Sequence, residues 1–279
     1  MIIESLKQIV HQNRESPPLY LRNLLKEKLQ FYVLNFIYTS NWGESLLFKG
    51  GSCLRMFFQL PRISEDLDVD ILRKKGFFLN DFLTDLKKYF RQILQYKDLE
   101  IKTSTKKNIV YLKFPLLDEL GLAEKKAKTK VLFLRIDLAL ALGTKYKIEL
   151  SIQSTDDFSF LVRHYSLSDL FAGKIAAILQ RTTRERKKAK PRFKGRDYFD
   201  LVWFLENKTP LNFSYLKELI EVQDKTALQK MLNEKIEQLD LKNLKDDIQP
   251  LFKNSNFVKD FTGNYKKIAN RLLKRTQFN

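Results

Sequence analysis

The segment "FKGGSCLRMFFQLPRISEDLDVDIL", residues 48–72, holds the side chains best suited to chemistry. Asp66, Asp68 and Asp70 recur at every second position of a run that is otherwise apolar. In an extended strand, side chains at i and i+2 share one face, so Asp66 and Asp68 project together roughly 6–7 Å apart. Two like charges so placed repel, and a purely structural sheet gains nothing from them. A divalent cation removes that penalty. Hard Mg²⁺ (or Mn²⁺) accepts carboxylate and phosphate oxygens together. Two such ions can clamp an attacking hydroxyl and a transferred phosphate. Asp70 shares the face one step further along and reads as a solvent-facing residue at the strand end, outside the ligand set. For the aspartates alone, a solvated acidic strand face is the simpler reading.

The glycines alter that balance. Gly50, Gly51 and Ser52 stand between a short strand, "LLF", and a helix, "SCLRMFFQL". Glycine lets backbone amides approach a ligand with no Cβ in the way. Ser52 brings a hydroxyl and an amide to the helix N-terminus, where phosphate binds well. The alternative is a tight strand-to-helix turn. A phosphate loop and a carboxylate pair at short separation are far more specific together than apart.

Together, Gly50, Gly51 and Ser52, then Arg62, Ile63, Ser64, Glu65, Asp66 and Asp68, resemble the first motif of the nucleotidyltransferase toxins of the AbiEii/AbiGii type, related to the mycobacterial Men toxins. "DLFAGKIAAILQR" and "RDYFDL" are similar to the later motifs of that family, a helical lysine followed by Arg-Asp and a second Asp. Lys174 matches the lysine; Arg196, Asp197 and Asp200 match the rest. The resemblance covers most of residues 45–205. It implies a nucleotidyltransferase fold, metal on Asp66 and Asp68, and an NTP held by Gly50, Gly51, Ser52 and Lys174. Asp197 joins the catalytic set. A compact lysine cation suits a β- or γ-phosphate, although a lysine can also snorkel beside an apolar helix face. Asp197 can equally be a carboxylate favoured by a helix dipole, and Asp200 can pair with Arg196 or a lysine. Many nucleotidyltransferases take a third carboxylate from a neighbouring strand. Asp137 in "FLRIDLAL" is the candidate metal ligand, with Glu149 in reserve; an ion pair with Arg135 is the competing role for Asp137.

These residues need elements to hold them. Ser16, Pro17 and Pro18 give a cap-and-first-turn signal ahead of a helix in "LYLRNLLKEKLQFYVLNFIYTS". Pro61 is expected to end the helix after the glycines. "DLDVDIL" alternates as a strand. "NDFLTDLKKYFRQILQY" is an amphipathic helix capped by Asn80. Strands follow in "LEIKTST", "NIVYLKFPL", "KVLFLRIDLAL" and "YKIELSIQ". Beyond about residue 165 the pattern turns helical almost throughout, starting with a helix capped by Ser166 or Ser168. The expected architecture is α+β: residues 1–165 form a nucleotidyltransferase-like domain with a mixed β-sheet flanked by helices. Residues 166–279 form a helical domain that contributes Lys174 and the Arg196-Asp197 motif.

Composition sets the outer bounds. Lys and Arg number 51 against 33 Asp and Glu, a net charge of +18, which suits a polyanionic partner and equally a generally Lys-rich proteome. Arg181 to Arg196 hold nine basic residues and one acid. Beside the site, Arg184, Arg186, Lys187 and Lys188 are placed to grip RNA phosphates; a solvated charge run is the alternative. No apolar run approaches the roughly 20 residues a membrane span requires, and the first residues lack a signal peptide's apolar region. Cytoplasmic residence, with no membrane partner, is the expectation. Cys53 is the one cysteine, so an internal disulfide is impossible. It reads as a small buried residue. His11 and His164 have no metal-spacing partner, and Ser-His-Asp chemistry has little support.

The reading is a Mg²⁺-dependent transferase that moves a nucleoside monophosphate from an NTP to an acceptor. The resemblance implies a toxin acting on RNA, often the tRNA 3′ end, with a cognate antitoxin. Transfer to a protein hydroxyl and a non-catalytic RNA-binding module on the same fold are the alternatives. Intact Asp66, Asp68 and Lys174 speak against the last.

Overall fold

The computed structural model describes residues 2–72, 76–104, 109–123, 130–181, 194–276 and 278. They cluster into two compact units: Met1–Ala141 with Glu149–His164, and Leu142–Ile148 with Tyr165–Asn279.

In the first unit, α1 (Ile2–Gln12) precedes α2 (Pro18–Tyr38). Leu25, Leu29, Val33 and Ile37 recur every fourth residue of α2 and are fully buried, the stripe expected of a helix lying on a core. Ser16 does not cap this helix. Pro17 holds the cap position without a side-chain bond and Pro18 opens the first turn, where a missing N–H costs nothing. Strand β1 (Leu46–Lys49) runs straight into α3 (Gly50–Phe58). Gln59, with a left-handed φ of 61°, terminates α3, so the stop precedes Pro61. Then come β2 (Asp66–Ile71), α4 (Leu79–Lys88), β3 (Glu100–Ser104), β4 (Ile109–Phe114), β5 (Leu132–Leu140), β6 (Ile148–Ser154) and β7 (Ser159–Tyr165). Phe78, not Asn80, precedes α4, again with no side-chain cap.

The strands form one mixed sheet in the order β3-β4-β5-β2-β1-β7-β6. Strand β2 lies antiparallel to β1 and parallel to β5, and β1 runs parallel to β7. Strand β7 has no counterpart in the sequence reading: its "SFLVRHY" places a histidine among the inward positions and blurs the alternation. Phe48, Leu67, Val69, Val110, Leu112, Leu134, Ile136 and Val162 are all fully buried. They lie on the face against which α2 and α3 pack. The opposite, open face carries the polar positions of the same strands, among them Lys49, Asp66, Asp68, Tyr111, Arg135 and Asp137. One face is therefore core and the other is available to a ligand.

The second unit is helical: α5 (Leu167–Gln180), α6 (Gly195–Glu206), α7 (Phe213–Leu219), α8 (Lys225–Glu237), α9 (Leu241–Ile248) and α10 (Ser255–Arg275). Ser166 caps α5, its hydroxyl accepting from the Asp169 amide. Tyr146, Tyr165 and Tyr215 pack together beside α7. Among the described residues no helix is long and apolar enough to cross a membrane.

Candidate active site

Asp66 and Asp68 stand on the open face of β2, as the period-two alternation requires. Cross-strand register supplies their neighbours. Asp68 pairs with Lys49 on β1 and with Asp137 on β5, and Asp66 pairs with Arg135. Asp137 therefore lies beside Asp68, on the same face. Its oxygens are already engaged from within β5. Arg135 grips both of its oxygens, Nε donating to Oδ1 at 2.9 Å and Nη2 to Oδ2 at 2.7 Å. This bidentate fork satisfies the carboxylate within its own strand. Burial, and then the charge of Asp68, nevertheless push the Asp137 carboxyl above the usual aspartate range, with Arg135 pulling it back. Among the described residues no three His, Cys, Asp or Glu side chains form a metal-holding group. Asp66 and Asp68 offer two carboxylates that suit a hard divalent ion. Mg²⁺ commonly needs no more than one or two protein carboxylates beside substrate phosphates.

The glycines prove to face the protein. A Cβ on Gly50 would overlap the Asp68 carboxylate, and the φ of Gly50 is 80°. On Gly51 a Cβ would come within 2.6 Å of Arg62 Nη2 and 2.9 Å of Ser64 Oγ. Arg62 is 1% exposed and donates to the Ile63 carbonyl at 3.0 Å, so this guanidinium is a strut beneath the loop. Ser52 is fully buried, and its hydroxyl donates to the Asp66 carbonyl. Ser52 thus fastens the start of α3 to the carboxylate strand. Gln30 of α2 adds a bond to the Ser64 carbonyl at 3.0 Å. Gly50→Ala should cost about 1–3 kcal/mol of stability through backbone strain. It should also lower transfer at least roughly 100-fold by displacing Asp68. Denaturant titration and labelled-nucleotide transfer check the two effects.

Asp70 is not solvent-facing. It is 3% exposed and forms an ion pair with Lys49. Lys49, which sequence reasoning passed over, reaches across β2 to neutralise it. Its signal was its place immediately before the glycines.

In the second unit, Lys174 of α5 meets Asp197 and Asp200 of α6. Its Nζ lies 2.9 Å from Asp197 Oδ1 and 2.8 Å from Asp200 Oδ2. The three side chains are 11%, 5% and 0% exposed. Arg181 at the end of α5 also pairs with Asp197. The i, i+3 spacing of the aspartates puts both on one side of α6, so the lysine is clasped between them.

The sequence between residues 33 and 274 matches the model of the family described as nucleotidyl transferase AbiEii toxin, type IV TA system. The chain belongs to this AbiEii family. No curated protein matches it in sequence. Among solved structures, JHP933 from Helicobacter pylori aligns with a TM-score of 0.48 and 16% identity, covering 91% of this chain and 92% of its own. An antigenic nucleotidyltransferase-like protein from Paracoccidioides brasiliensis aligns with a TM-score of 0.38 and 13% identity, covering 86% and 95%.

The other candidates within this AbiEii chain fall elsewhere. Glu149 shares the face of Ser151, whose hydroxyl bonds His164 Nε2 at 2.8 Å. His164 stacks on Phe57 of α3 at 4.8 Å, so Glu149 lies on the helix-covered side, opposite Asp68. Cys53 is buried, and burial holds its thiol well above the usual range. It is a core residue. Arg184, Arg186, Lys187 and Lys188 lie outside the described residues.

Proposed function

We propose that this AbiEii chain is a metal-dependent nucleotidyltransferase acting on RNA. In this reading an acceptor hydroxyl bonds to the α-phosphorus of an NTP as the bond to pyrophosphate breaks. The observation that carries the proposal is the pair Asp66 and Asp68 on an open sheet face, with Gly50 shaped to the Asp68 carboxylate. Those two carboxylates would hold Mg²⁺ or Mn²⁺, which would neutralise phosphate charge and lower the pKa of the attacking hydroxyl. The amides of Gly50, Gly51 and Ser52, at the start of α3, orient phosphate oxygens. Lys174 is the lysine, and Asp197 the carboxylate, that the family motif assigns to nucleotide binding and catalysis; both belong to the second unit. The net charge of +18 favours RNA, with the tRNA 3′ end as the specific acceptor, over an uncharged protein hydroxyl. A cognate antitoxin is the partner that a toxin–antitoxin family calls for.

The test is incubation of the full chain with each labelled NTP in turn, Mg²⁺ or Mn²⁺, and total RNA. Label should move to RNA with one NTP preferred. Label on protein alone would replace RNA by a protein acceptor. An absence of transfer with all four NTPs would overturn the enzyme reading.

A further inference from the structure

We propose that the β3–β4–β5 wing of the open sheet face is a stacking platform for the single-stranded end of the acceptor RNA. This rests on the reading of the chain as an RNA nucleotidyltransferase. The register builds two transverse rows. Asp66, Arg135, Tyr111 and Lys102 are successive cross-strand partners on β2, β5, β4 and β3. Phe133, Lys113 and Glu100 form the next row. In-register partners share a face, so all seven project on the side of Asp66. With neighbouring strands about 4.8 Å apart, Tyr111 stands roughly 10 Å from the carboxylate strand.

A large ring on a sheet normally faces the core. Here the core face of the same strands is already complete with Val110, Leu112, Leu134 and Ile136. Phe133 is 40% exposed, Tyr111 is half-buried and Lys102 is exposed. The Lys113 ammonium lies 5.9 Å from the Phe133 ring centre. Glu100 sits 3.3 Å from the same ammonium and offsets part of its charge. Rings interleaved with cations on an open sheet are what unpaired bases and their phosphates require: the base stacks on the ring and the backbone meets the lysine. A duplex offers no free base face, and an acidic peptide would use the cations but not the rings. The row ends at Asp66, so a strand end laid along it delivers its terminal hydroxyl to the carboxylates.

The experiment measures binding of a fluorescein-labelled single-stranded oligoribonucleotide to the full chain by anisotropy, without NTP. Tyr111→Ala and Phe133→Ala should each weaken binding roughly 5- to 150-fold, while Tyr111→Phe retains it. Lys102→Gln should reduce the slope of log affinity against log salt by about 0.7. A blunt RNA hairpin should bind more weakly than the single strand and be indifferent to the ring substitutions. Unaltered melting temperatures confirm that the exposed-face variants fold. Affinities unchanged in both ring variants, or no single-strand binding by the wild type, overturn the platform. So does a loss of NTP affinity with RNA affinity unchanged, which would assign the rings to the nucleotide. Transfer is read separately: at limiting RNA the ring variants should lose rate in step with their loss of RNA affinity. Ring-dependent RNA binding without any transfer by the wild type would uphold the platform and overturn the transferase reading.

Discussion

Asp68→Asn is expected to abolish nucleotidyl transfer and to leave the fold intact. Asp68 is the residue to which Gly50 conforms and which stands between Lys49 and Asp137 in the sheet. Asparagine keeps its shape and removes its charge, so a divalent ion would lose one of two protein carboxylates. Metal charge stabilisation is worth several kcal/mol. At 1.36 kcal/mol per decade the rate should fall on the order of 10³-fold. Stability should move the other way or not at all. The charge of Asp68 helps push the Asp137 carboxyl upward, so neutralising Asp68 relieves repulsion in the metal-free protein. Its melting temperature should hold or rise. Asp66→Ala is expected to follow the same pattern. Near-wild-type transfer in either variant would remove the carboxylate pair from the chemistry.

Lys174→Met should destabilise the protein by about 3–5 kcal/mol, the cost of leaving buried carboxylates without their cation. Methionine fills the lysine's volume but leaves Asp200, whose side chain is fully buried, uncompensated. Asp197 fares better, since Arg181 also pairs with it. Adding Asp200→Asn to Lys174→Met should therefore recover most of the loss, which a double-mutant cycle by denaturant titration measures. The cycle separates two roles for this lysine. A ligand-facing cation with no structural part would give a Lys174→Met protein as stable as wild type with weakened NTP binding. The two short ion pairs predict instead that stability falls first. NTP affinity is then best read in Lys174→Met with Asp200→Asn.

Much of this was legible along the chain. The alternation in "DLDVDI" by itself placed Asp66 and Asp68 on one face, because the period of a strand is a property of its own backbone. The order strand, glycines, helix, strand was equally local, as was the helical character of residues beyond 165. The spacing of Asp197 and Asp200 put both on one side of a helix before any partner was known. Boundaries were less legible: Ser16 and Asn80 offered cap chemistry that neighbouring residues pre-empted.

What the tertiary structure decided was register and direction. That Asp137 falls beside Asp68, and Arg135 beside Asp66, depends on how β5 slides against β2. No pattern within either strand encodes that offset. Gly51 and Ser52 looked like a loop opened toward phosphate. Packing turned the glycine toward Arg62 and the hydroxyl toward the Asp66 carbonyl. Asp70 had the same alternation as its neighbours, yet it became buried opposite Leu47 of β1, with Lys49 two residues along ion-paired to it. The insertion of β7 beside β1 sent Glu149 to the covered face. Lys102, Tyr111 and Arg135 are scattered over three strands in sequence and become one row with Asp66 only through pairing. Side-chain alternation is fixed by bonds along one chain segment. Which carboxylate meets which arginine is fixed by hydrogen bonds between segments dozens of residues apart, and only the assembled sheet sets those.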